Sequence, residues 1–216
     1  MQEKAPAIRQ INHKMMRVIV GVTALLLSPA VWLLSGDIKE LTSISISYWT
    51  DSRDIFVGSL IAVGFFLSAY NGANEEKRDR EYYLSKMACV FAICVALFPT
   101  KGFSELDIPA KWVRAIAETI GLEPQFIHIV SAGLLFACLI ALMWFFSIRA
   151  MKKGKPHRAY FYRTVSILMG GGIIGLSLIS DTVFWVEVWG LTLFGLGWLV
   201  AGSYKSENHN NMVSDK

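Results

Sequence analysis

FIHIVSAGLLFACLIALMWFFSI, residues 126–148, is a run of 23 residues with no Lys, Arg, Asp or Glu. As an α-helix rising ~1.5 Å per residue it would be roughly 35 Å long, enough to cross a hydrocarbon core of ~30 Å. That reading decides the fold class. Working outward, shorter apolar runs cover 17–35, 54–70, 84–100, 161–180 and 183–204, which makes six candidate spans. The sequence therefore predicts an all-α polytopic membrane protein with six transmembrane helices. Residues 17–204 form the membrane domain, 1–16 an N-terminal segment and 205–216 a tail. Composition agrees: of 216 residues 54% are hydrophobic and 18% charged, against ~25% charged in soluble domains. The first run is longer than the ~7–15 residues of a secretory signal core, so it is read as the first span.

Orientation follows from Lys and Arg. Sixteen of the 21 lie in the N-terminal segment, the second and fourth connecting regions and the tail, and only five lie on the other side. The split predicts both termini in the cytoplasm. It also accounts for most of the net charge of +4. No separate soluble domain offers a basic face, so nucleic acid is not an expected partner. Aromatic belts are expected at both interfaces, with Trp32, Trp112, Trp185 and Trp189 at one and Tyr82, Trp144 and Trp198 at the other. Cys89, Cys94 and Cys138 all fall inside predicted helices and read as small apolar residues, not as a disulfide framework.

The connecting segments hold the polar signals. TSISISYWT, residues 42–50, alternates Ser with Ile like a half-buried strand. A lone strand leaves its backbone unpaired, so an extended segment over the outer mouth of the bundle is expected. Asp54 then opens the second span, where a carboxylate suits a helix start. IPAKWVRAIAETIG, residues 108–121, reads as a short amphipathic interfacial helix in the third loop. Pro109 suits its first turn, Trp112, Ile116 and Ile120 share one face, and Gly121 suits its stop. The basic stretch 149–158 is cytoplasmic. Gly171 and Gly175 form a G-x-x-x-G that serves either packing within the chain, the favoured reading, or a homo-oligomer.

Ionisable residues at membrane depth point to function. His128, Glu187 and Asp54 fall at similar heights near the outer end, with Arg53 and Asp181 just above and Thr100 closing the third span. Together with Ser45 and Tyr48 these residues are the candidate ligand-binding set of an outward-facing polar pocket. The alternative role for the same layer is a hydrogen-bonded plug that fixes helix packing. No catalytic residue is assigned, and no metal or cofactor is expected. The chain lacks G-x-S-x-G, H-E-x-x-H, C-x-x-C and P-loop patterns, and three of its four histidines fall on the cytoplasmic side. The expected function is binding or sensing of a lipid headgroup or small ligand, with membrane lipids as partners. The alternative is a membrane-embedded hydrolase acting on a lipid or amide through His128 and nearby carboxylates. A proton-coupled transporter is disfavoured because no polar trail crosses the span region.

SISISYWTDSRDIFVG (43–58), ACVFAICVALFPT (88–100), IHIVSAGLLF (127–136) and FWVEVWGLTLFGLGWLV (184–200) together resemble a family of small six-helix bacterial inner-membrane proteins of unknown function. That family is distantly similar to the Frag/DRAM/Sfk group. The resemblance covers most of 42–204 and implies six helices and an inner-membrane location, without an established reaction. It singles out Ser43, Ser45, Tyr48, Arg53, Asp54, Pro99, Thr100, His128 and Glu187. Gly197 and Ala201-Gly202 depart from the family pattern, which has Ser and Lys-Gly there.

Overall fold

The computed structural model describes residues 13–36, 41–72 and 78–203. All regular structure among them is helical. The α-helices are α1 (His13–Leu34), α2 (Arg53–Ser68), α3 (Arg80–Leu97), α4 (Lys111–Ile120), α5 (Pro124–Lys152), α6 (Pro156–Ile179) and α7 (Phe184–Ser203), with a 3-10 turn at Ser45–Trp49. Four segments are long and apolar enough to cross a membrane: Lys14–Leu34, Pro124–Lys152, Pro156–Ile179 and Phe184–Ser203. Of the six expected spans, α2 and α3 are the two outside this set. α2 has 16 residues, roughly 24 Å of helix, and α3 has Arg80, Glu81 and Lys86 in its first two turns.

Each long helix packs on its neighbours in the order α1, α2, α3, α5, α6, α7, and α7 returns to α1 to close the ring. Small residues set the closest approach. A Cβ on Gly21 would stand 2.9 Å from the Gly195 carbonyl, and a Cβ on Gly195 would stand 2.9 Å from the Gly21 carbonyl. Only a pair of glycines lets α1 and α7 come so near, which is how helices gain contact where no water drives burial. Gly171 and Gly175 differ: a Cβ on either meets nothing within 4 Å. Among the described residues the G-x-x-x-G face of α6 is thus not used in packing, contrary to the favoured sequence reading. Its neighbour Gly172 instead receives the Trp189 indole, whose Nε1 donates to the Leu168 carbonyl at 2.8 Å.

Large apolar side chains such as Leu33, Phe65, Ile129, Ile174 and Leu178 stand on the outside of the ring. That is the surface a lipid-facing protein needs and a water-facing one avoids. The core is aromatic at one end, where Tyr70, Phe146 and Trp198 meet with ring centroids 5.3–5.9 Å apart. Trp198 is only 1% exposed, so it belongs to this core and not to the belt expected from its position. The van der Waals contact of a fully enclosed ring outweighs an interfacial seat here, because α7 is glycine-rich and lets its neighbours close over it.

Candidate functional site

The bundle has two polar ends. One carries α4; the other collects the starts of α1 and α3 and the ends of α2, α5 and α7.

At the α4 end, residues 42–50 are neither a strand nor an extended flap. They fold into the 3-10 turn, with Ser45, Ile46, Ser47 and Tyr48 buried. The reason is local. Ser47 N–H donates to the Ile44 carbonyl and Thr50 N–H to the Ser47 carbonyl, both at 3.1 Å. Ile46 N–H donates to Ser43 Oγ at 3.0 Å, and Ser47 Oγ donates to the Ile44 carbonyl. Serines spaced by two supply backbone partners that a lone strand would lack, so the turn needs no second strand. Ile44 and Ile46 are then free to enter the core.

Glu187, in the first turn of α7, holds this turn. Its carboxylate accepts from Ser45 Oγ at 2.8 Å and from the Ile44 backbone N–H. Phe184 N–H donates to the Thr42 carbonyl at 2.9 Å and adds a second tie between α7 and the segment. Glu187 therefore occupies the start of the turn, where unpaired amides and the backbone dipole favour an anion. Ser35 Oγ reaches both Thr50 Oγ1, at 3.0 Å, and Ser52 Oγ, which ties the end of α1 to the same segment.

The remaining candidates disperse. His128 is buried, and its Nδ1 pairs with the Phe98 carbonyl at 2.7 Å, where α3 ends before Pro99. Its hydrogen bond thus runs to α3 backbone, whereas Glu187 serves the turn. Asp54 lies exposed in the first turn of α2, a position that suits the helix dipole, and Asp181 is exposed. Arg53 lies over the Tyr48 ring at 4.3 Å and donates to the Tyr48 hydroxyl at 2.8 Å. Trp49 Nε1 donates to the Thr100 carbonyl at 2.9 Å. Serine, tyrosine, arginine and threonine of the candidate set thus knit one cap over the bundle.

Beside that cap, a cleft of about 220 Å³ opens between the turn and the α3–α4 connection. Its walls include Trp49, Thr100, Lys101, Glu105, Glu123 and Gln125. Of the candidate residues it includes Thr100, and Trp49 follows Tyr48 directly. α4 stands next to it in sequence. It buries Val113 and Ala117 and leaves Trp112, Ile116 and Ile120 exposed. Gly121 ends it in the left-handed region at φ 73°, as its sequence position implied. Pro109 falls just ahead of the helix, which starts at Lys111.

Sequence reading missed the opposite end. Glu81 and Arg149 pair at 2.6 Å, and both engage the Tyr70 hydroxyl, which donates to Glu81 at 2.6 Å and accepts from Arg149 at 2.7 Å. Ser85 Oγ donates to the Tyr70 carbonyl at 3.0 Å, and Lys86 Nζ donates to the Ser68 carbonyl. Arg17 donates to the Ala201 carbonyl at 3.1 Å. One polar knot thereby joins the end of α2 to α3 and α5, while Arg17 ties α1 to α7 beside it. The available signal was REYYLSK, residues 80–86, where an acid sits inside a basic cluster beside two tyrosines. Its charges read as topology, which hid the pairing.

Among the described residues, no group of three or more His, Cys, Asp or Glu could hold a metal ion. No family model, curated protein or solved structure matches the chain.

Proposed function

We propose that this chain is an integral membrane protein of the cell's inner (plasma) membrane that binds a lipid headgroup or small ligand at the cleft on its α4 end. In this reading all six long helices span, α2 and α3 as short or charged members, and both termini face the cytoplasm. α4 lies in the outer interface with Trp112, Ile116 and Ile120 toward lipid. The observation that carries the reading is the cleft of about 220 Å³, walled by Trp49 and by charges of both signs, whose lining includes Pro109 and Glu123 from the segments that lead into and out of α4. A headgroup in that cleft would leave its acyl chains beside α4 and α5. Membrane lipids are thus the proposed partners. A second copy of the chain, seated on the open Gly171–Gly175 face of α6, is the proposed route to a homo-oligomer.

The test is purification in mild detergent followed by mass spectrometry of what remains bound. Trp49→Ala and Glu123→Gln, in the cleft, are expected to lose a co-purifying lipid or small molecule that the wild type and Asp181→Asn keep. Identical bound species in all four proteins would overturn the reading. Cysteine labelling at Lys111 and Lys153 from either side of sealed vesicles tests the orientation. Opposite sidedness is expected, and labelling from one side alone would contradict it.

A further inference from the structure

At the end of the bundle away from α4, a hole of about 10 Å³ is lined by Met16, Arg17, Val20, Phe66, Tyr70 and Trp198. Two buried polar atoms of these residues have no hydrogen-bond partner among the described residues: Arg17 Nε and Trp198 Nε1. Trp198 is 99% buried, and its indole N–H lies among the residues that line this hole. Both groups are obligate donors, since a guanidinium and an indole accept nothing. Whatever satisfies them must be an acceptor small enough for the hole. A buried donor without a partner is destabilising, which makes two among the residues of one small cavity a feature to explain. A volume of ~10–15 Å³ holds about one water molecule, and such a water needs two to four polar partners. We infer that this cavity is an internal hydration site, where a single water accepts from Trp198 Nε1 and Arg17 Nε and bridges α1 to α7. The place suits a bridge. Arg17 already reaches α7 through the Ala201 carbonyl and faces the Tyr70 ring at 5.5 Å, so the water would complete the tie between the α1–α7 seam and the Tyr70–Glu81–Arg149 knot. A halide would answer the same donors, and the experiment separates it from water.

The experiment uses the full-length protein in lipid nanodiscs with indole-¹⁵N tryptophan. Trp198→Phe assigns its resonance. Single Trp→Phe changes at the six other positions assign it by elimination if Trp198→Phe does not fold. The expected result is a cross-peak between the Trp198 indole proton and a long-lived water. It should be unchanged when chloride is replaced by gluconate, and lost when Val20→Leu or the milder Val20→Ile fills the cavity. No water cross-peak in the wild type, a resonance that titrates with chloride, or a cross-peak that survives both fillings would each overturn the inference.

Discussion

Each end of the bundle buries a glutamate, and the two are held by opposite means. At the α4 end Glu187 meets neutral donors only, the Ile44 amide and the Ser45 hydroxyl, both from one short turn. At the other end Glu81 meets a full cation, Arg149 of α5, and a phenol, Tyr70, just past the end of α2. The first arrangement pins a connecting segment to one helix. The second joins three neighbouring elements of the ring, the end of α2, α3 and α5, across 68 residues of sequence. A buried acid therefore has two solutions in this chain, and they predict different consequences when broken.

The largest effect should come from the ionic end. Glu81→Ala leaves Arg149 and Tyr70 without their acceptor, and loss of one partner of a buried pair costs about 3–5 kcal/mol. Unfolding in mild detergent should show this, and the double variant Glu81→Leu with Arg149→Met should recover much of it. A double variant no better than the single one would mean that the pair, not the orphaned cation, carries the stability. Glu187→Ala should cost about 2–3 kcal/mol, because the Ile44 amide and the Ser45 hydroxyl lose a buried acceptor. That loss should be confined to the turn, readable as faster proteolysis or exchange over 41–50 with the rest of the ring intact. Gly195→Ala puts a methyl against the Gly21 carbonyl and the Leu25 side chain, and should cost about 1–3 kcal/mol by forcing α1 and α7 apart. This lies between the two ends and should weaken both alike. His128→Phe should cost about 1 kcal/mol through the Phe98 carbonyl. Ser147→Ala should lie within about 0.5 kcal/mol of wild type or above it, since that buried hydroxyl has no partner among the described residues to lose.

What was legible in the sequence follows the same contrast. Glu187 stood out because it is the one acid in a long apolar run, and its depth alone marked it as held by something. Its partner was not legible. Periodicity read the serines as one face of a strand, while their side chains close a 3-10 turn whose backbone needs no neighbour. The helices, the end of α3 at Pro99 and the stop of α4 at Gly121 were readable from length and local chemistry. Glu81 and Arg149 were not, because they lie among charges that the topology rule already explains, and 68 residues separate them. His128 was correctly placed near a helix start, yet its partner is a backbone carbonyl, which no side-chain inventory reveals. The glycines of α6 show the converse: the motif was visible, but which side it faces depends on packing that only the closed ring determines.

Residues 42–50 form a cap, buried over 44–48 and latched by Glu187. Hydrogen exchange of the protein in nanodiscs, followed over peptides 41–52 and 78–90, tests this most directly. Slow exchange of both peptides is expected in the wild type, and fast exchange of 41–52 alone in Glu187→Ala. Rapid exchange of 41–52 in the wild type, or an unchanged rate in the variant, would contradict it.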